Sequence, residues 1–162
     1  MDRSIVLILH NIRSAHNVGS MFRTADGMGV AKIFLSGYTQ TPAEENRRLL
    51  REGEAALRKT ALGAEYAVPW ERVEDPLALM ETLGGDGFTI ISLESGVGGT
   101  DLRAYRPEGN IALLVGHETE GIASDLLDAS DIVLEIPMAG VKGSLNVSVA
   151  AGIALFHLSS VQ

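Results

Sequence analysis

The chain has 162 residues, 46% of them hydrophobic, which suits one domain with a sizeable core and leaves no room for a second. A formal net charge of −8 argues against indiscriminate nucleic-acid binding, which relies on Lys and Arg neutralising phosphates. The absence of cysteine excludes disulfides, thiolate catalysis and thiolate metal sites, and His10, His16, His117 and His157 show no ligand spacing on one element.

In chain order, Ile5–Leu9 reads as the first strand; it lacks the basic flank and cleavage site of a signal peptide. No apolar run approaches the roughly 20 residues of a membrane span, so a cytoplasmic protein with no membrane partner is expected. Asn17 is expected to cap a helix whose buried stripe is Val18, Met21, Phe22 and Ala25, with Arg23 projecting off that stripe. Lys32–Leu35 reads as the second strand. The Arg-rich segment Pro42–Leu62 reads as one helix broken around Gly53, its arginines interleaved with Glu44, Glu45, Glu52 and Glu54 at spacings that suit intrahelical ion pairs. Glu65–Val68 is expected as the third strand, and Asp75–Pro76 opens a helix carrying Leu77, Leu79, Met80 and Leu83. Phe88–Leu93, Ile111–Val115 and Ile132–Ile136 complete the strands, with glycine turns at Gly84–Gly87 and Gly96–Gly99. Runs such as Ile111–Val115 have no polar alternation, so both of their faces are covered. The fold class is therefore α/β, a mostly parallel sheet flanked by helices. From Leu145 to Phe156 a last helix is apolar nearly all round, which predicts that protein surrounds it.

Three segments stand out chemically. His10–Val30 runs from the first strand through a polar loop into a helix carrying Asn17 and Arg23, which read equally as a cap and a solvated cation. Ala112–Ile122 ends a buried strand in a glycine followed by Glu118, Glu120 and Gly121, at the strand end where open α/β sheets bind ligands. Leu134–Phe156 joins an apolar run, a Pro/Gly loop and the apolar helix, with Ser144, Asn146 and Ser148 at the junction.

In this order and spacing, N-x-G-x-x-x-R at Asn17–Arg23, G-x-E-x-x-G at Gly116–Gly121 and IPM…SLNVSVA at Ile136–Ala150 resemble the SpoU family of SPOUT-superfamily RNA methyltransferases over essentially the whole chain. The resemblance implies a single SPOUT domain over residues 1–162 with a C-terminal deep trefoil knot, an exception to the rule that chains avoid knots. It also implies S-adenosylmethionine as cofactor, a homodimer with the active site at its interface, and methyl transfer to a ribose 2′-hydroxyl of tRNA or rRNA. Carried over by position, Gly116, Ile136 and Leu145 would give backbone contacts to the adenosine part, with Leu93, Met138, Gly121, Ser144 and Asn146 around them. Arg23 would act as general base or cationic clamp, with Asn17, Glu118, Ser144 and Asn146 holding substrate, arginine and loop. A guanidinium pKa above about 12 favours the clamp.

Many relatives carry an extra RNA-binding domain, whereas this chain starts at its first strand, so RNA recognition is expected from the dimer surface or a partner. The acidic balance favours a local site such as an anticodon-type loop over an extended duplex. The alternative is a noncatalytic paralogue that binds S-adenosylmethionine or RNA, against which the joint presence of Asn17, Arg23, Glu118, Ser144 and Asn146 argues. A dinucleotide-binding oxidoreductase is rejected, because HNIRSAHNVGS stands where G-x-G-x-x-G would be needed.

Overall fold

The chain runs through β1 (Ile5–His10), α1 (Ala15–Gly27), β2 (Lys32–Ser36), α2 (Glu52–Ala61), α3 (Ala64–Ala67), β3 (Trp70–Val73), α4 (Pro76–Gly85), β4 (Phe88–Leu93), β5 (Thr100–Asp101), β6 (Asn110–Val115), α5 (Ser124–Asp128), β7 (Ile132–Glu135) and α6 (Val147–Ser160). It is seen in a computed structural model that describes residues 3–160. The strands form one seven-stranded sheet in the order β3-β2-β1-β6-β4-β7-β5, every neighbouring pair parallel. Their carboxyl ends therefore share one edge, which is where the site lies.

Both faces of the sheet are covered, which is why the strands read as unbroken apolar runs. Leu7, Leu9, Leu113 and Val115 point to the face packed by Val18, Met21, Phe22 and Ala25 of α1 and by Ala151, Ala154, Leu155 and Leu158 of α6. Val6, Ile8, Ala112 and Leu114 point to the other face, against Met80 and Leu83 of α4 and Leu126 of α5. Among the described residues no helix is long and apolar enough to cross a membrane.

Four local expectations are corrected. The third strand is Trp70–Val73 and not Glu65–Val68, which forms α3 and its cap, because Glu65 turns back to accept a hydrogen bond from the Gly63 N–H at 2.9 Å and closes a helical turn. That edge strand is largely exposed, so no apolar pattern announced it. The Arg-rich segment is helical only from Glu52, where Glu54 accepts from the Arg51 N–H at 2.8 Å in a capping box. Glu54 is also paired with Arg47 at 2.9 Å, from the irregular stretch before the helix and not from within it. At α1 the cap is Ser14, whose hydroxyl accepts from the Asn17 N–H at 3.3 Å, leaving the Asn17 side chain free for other partners.

The fourth concerns α6. Its inner face is fully buried, but Val149, Ile153 and Phe156 lie 50%, 43% and 64% exposed. At spacings of four and three residues they form one stripe, so the chain by itself surrounds only part of this helix.

Candidate active site

The loops that follow β4, β6 and β7 wall a cleft that opens to solvent, at the strand ends where open α/β sheets bind ligands. Leu93, Gly116, Gly121, Ile136, Met138, Ser144 and Leu145, all singled out in the sequence, line it together with Glu118. Their convergence follows from the topology: β4, β6 and β7 end at the same edge, and the 136–146 segment returns along it before α6 starts. Among the described residues, no protein group accepts from the backbone N–H of Gly116, Ile136, Met138 or Leu145. Such donors on a partly buried wall are suited to a ligand that accepts hydrogen bonds from main chain.

Gly116 is required by the turn that follows it. A Cβ there would lie 2.9 Å from the Gly121 carbonyl oxygen and 2.8 Å from Ile122 Cγ1, so the constraint is packing of the loop on itself. Gly121 has φ +71°, in the left-handed region, and a Cβ would strike the Glu94 carboxylate. Glu94 was not singled out in the sequence. Its carboxylate accepts from the Ile122 N–H at 2.7 Å and the Ser95 N–H at 2.9 Å, tying the loop after β4 to the loop after β6. Ser95, His117, Val147 and Ala150 line the cleft as well. The usable signal was position: Glu94, Ser95 and His117 all lie just beyond predicted strand ends.

Glu118 serves the start of α1. It accepts from the backbone N–H groups of Arg13 and Ser14, each at 2.9 Å, and from the Asn17 carboxamide at 3.1 Å. These donors lie at the positive end of the α1 dipole. Burial pushes the Glu118 carboxyl up, but the hydrogen bonds from Ser14, Arg13 and Asn17 outweigh it and hold the group below its ordinary value. The Asn17 carboxamide oxygen in turn accepts from Asn146 Nδ2 at 3.1 Å. Asn146 Oδ1 accepts from the Ser148 N–H at 2.8 Å and the Ser148 hydroxyl at 2.6 Å, capping α6. Asn17 and Asn146 thus sit beside the cleft and couple the starts of α1 and α6 to the β6–α5 loop.

Ser144 is exposed on the cleft wall and makes no side-chain hydrogen bond among the described residues. Arg23 is not brought into this group. It lies on the exposed face of α1, two turns beyond the cap, without an acidic partner among the described residues. The chain alone therefore holds a cleft with main-chain donors, an ionised carboxylate anchored to a helix start, and a free guanidinium outside it.

A profile described as the SpoU rRNA Methylase family matches residues 4–156. Over 156 residues the chain is 34% identical to the 23S rRNA (guanosine-2'-O-)-methyltransferase RlmB of Salmonella typhi, covering 96% of this chain and 60% of that protein. The crystal structure of the A. aeolicus TrmH/SpoU tRNA modifying enzyme is similar at TM-score 0.80 and 25% identity, over 98% of this chain and 75% of that one. The SpoU methyltransferase AviRb from Streptomyces viridochromogenes, solved with the cofactor AdoMet, has TM-score 0.83 at 21% identity over 98% of this chain and 60% of that one, a likeness of fold. The chain spans about 60% of the length of the curated relatives it matches.

Proposed function

Because this chain belongs to the SpoU rRNA methylase family, we propose that it transfers a methyl group from S-adenosylmethionine to a ribose 2′-hydroxyl of tRNA or rRNA, as a cytoplasmic homodimer in which residues 1–162 form one SPOUT domain. The observation that carries this reading is the cleft at the ends of β4, β6 and β7, whose main-chain donors stand beside the Asn17–Glu118–Asn146 chain of hydrogen bonds. S-adenosylmethionine fits that cleft. Leu93, Ile136, Leu145 and Ala150 offer apolar walls to an adenine ring, the free N–H groups of Gly116, Ile136, Met138 and Leu145 offer donors to its acceptors, and the carboxylates of Glu94 and Glu118 suit a cationic sulfonium end. When bound, the cofactor supplies an electrophilic methyl group for in-line displacement by the ribose oxygen.

What this chain's residues contribute is placement. Glu118, held ionised by three donors, fixes the start of α1, and Asn17 and Asn146 fix the start of α6, so the two helices keep one geometry at the cleft mouth. Ser144 and Asn146 border the place where the ribose would sit. Arg23 stays a cation: it clamps an adjacent phosphate in two-pronged fashion and steadies the developing alkoxide, while the hydroxyl proton passes to water at the exposed mouth.

Arg23 lies outside its own cleft, and in a dimer it would serve the cleft of the partner protomer. Thr24, next to Arg23 on α1, packs 3.7 Å from the position a side chain on Gly152 of α6 would take, so this turn of α1 adjoins the helix that bears the exposed Val149, Ile153 and Phe156 stripe. Pairing two copies through that stripe covers it and offers each cleft a guanidinium from the other protomer. The trefoil knot belongs to the same reading. Its support is that segments 116–121 and 136–146 wall one cleft while α6 packs into the core beyond them.

Mapping 2′-O-methyl nucleotides in total RNA with and without the gene tests the proposal. The expected result is loss of one site on deletion, restored by wild type and not by Arg23→Ala. No change at any site, with S-adenosylmethionine still bound, favours the noncatalytic alternative.

A further inference from the structure

Tyr38 is an aromatic side chain left 58% exposed at the carboxyl edge of the sheet. Single exposed aromatics are common and by themselves mean little. This one is held in place. Its backbone N–H donates to Asn11 Oδ1 at 3.3 Å, the next residue's hydroxyl, Thr39 Oγ1, donates to the Leu9 and Ser36 carbonyls, and the Ile12 N–H donates back to Thr39 Oγ1 at 3.1 Å. From the other side Arg72 donates to the Gly37 carbonyl at 2.8 Å. The loop after β2 is thus fastened to both the β1–α1 loop and β3.

The Tyr38 ring stands edge-to-face with the His117 imidazole, centroids 6.3 Å apart and planes at 81°. His117 lines the cleft. Its Nδ1 accepts from the backbone N–H groups of Glu120 at 2.9 Å and Thr119 at 3.1 Å, which leaves Nε2 as the ring's N–H donor. In the same β1–α1 loop Arg13 is exposed and its guanidinium has no partner among the described residues. An aromatic ring packed on a cleft-wall imidazole, that imidazole's oriented N–H donor, and an exposed cation whose backbone is tied to the cleft's Glu118 make a combination suited to receiving an unstacked RNA base and its phosphate.

We propose that Tyr38 and His117 form the subsite for the base of the methylated nucleotide, the ring of Tyr38 stacking on it and His117 Nε2 donating to one of its acceptors. The inference rests on the methyltransferase reading and adds where the nucleotide is gripped. Every base has a π face and an acceptor, so the pair positions the nucleotide without choosing its identity.

The test uses full-length protein, tritiated S-adenosylmethionine and total RNA from cells lacking the gene. Tyr38→Phe and Tyr38→Trp should keep kcat/KM within about twofold, whereas Tyr38→Leu should lower it about ten- to hundredfold with cofactor affinity unchanged. Tyr38 is exposed, so these variants fold. A second readout is the fluorescence of Tyr38→Trp minus that of wild type, whose only tryptophan is Trp70. With S-adenosylhomocysteine bound, a random-sequence single-stranded RNA hexamer should quench the added indole by stacking. Wild-type turnover with Tyr38→Leu equally active, or with no quenching, overturns this inference and leaves the methyltransferase reading standing. Quenching without any turnover keeps Tyr38 as a contact for an RNA base but overturns the enzyme reading, and with it the assignment of that base to a methylated nucleotide. Neither turnover nor quenching overturns both.

Discussion

The Asn17 carboxamide donates to Glu118 at 3.1 Å while its oxygen accepts from Asn146 at 3.1 Å, so one side chain joins residues about a hundred positions away in the β6–α5 loop to the start of α6. The order of the hydrogen bonds explains why an acid stands at 118. Two main-chain N–H groups and an amide N–H need an acceptor with no proton of its own.

Replacing Glu118 by Ala should leave those donors unsatisfied and lower stability by about 1–3 kcal/mol, nearer the lower end because the site is partly solvated. The pH dependence has a definite sign. The carboxyl is held below its ordinary 4.5, so the ionised group stabilises the fold above that value, and the contribution is lost as pH falls through the lower folded value. Glu118→Gln should flatten this part of the acid limb in thermal unfolding as pH falls below the ordinary 4.5, read as at most about one proton fewer taken up. An unchanged acid limb would remove Glu118 as the anchor.

Gly116→Ala should weaken S-adenosylmethionine binding at least about tenfold and also lower the melting temperature, since its Cβ meets Gly121 and Ile122 of the chain itself. Calorimetry and thermal unfolding read the two effects. A variant with normal stability and lost affinity would mean that the side chain meets the ligand and not the turn.

Arg23→Ala should abolish methyl transfer with cofactor affinity within a few-fold, and Arg23→Lys should fail nearly as badly because a point charge cannot make the two-pronged contact. A lysine variant whose rate climbs as pH rises toward its pKa near about 10 would indicate proton abstraction instead. Mixing Arg23→Ala with Gly116→Val, each inactive, should restore about a quarter of wild-type activity if half the dimers are mixed and each holds one intact composite site. No recovery after verified subunit exchange would place Arg23 and the cleft it serves in the same protomer.

Ile153→Asp and Phe156→Glu alter only the exposed stripe of α6, so folded monomers are expected in light scattering, with methyl transfer lost. Leu155→Ala is the contrast: buried between α6 and α1, it should cost about 2–5 kcal/mol of stability. Wild type that is monomeric and active at micromolar concentration would remove the dimer from the mechanism.

Much of this protein was legible in its residues because the signals were local. Apolar runs without alternation announced a parallel sheet covered on both faces, Asp75–Pro76 announced the start of α4, and the strand-end glycines at 116 and 121 marked one wall of the cleft. What failed locally failed for want of a local signal. Trp70–Val73 pairs at an exposed sheet edge and needs no apolar pattern, and Glu65 folds back on Gly63 by a hydrogen bond that no periodicity reveals.

The sequence by itself determined the α/β class and most strand positions, since burial period is a property of neighbours along the chain, and its family resemblance singled out Asn17, Arg23, Glu118, Ser144 and Asn146 as candidates. Only the tertiary structure decided what those residues do to one another. It made Ser14 the cap and released Asn17 to bridge Glu118 and Asn146, added Glu94 and His117 to the cleft wall, and left Arg23 and one stripe of α6 facing outward. The physical reason is that a hydrogen bond between residues a hundred positions apart depends on where parallel strands end in space, and helix burial depends on which faces the rest of the chain reaches.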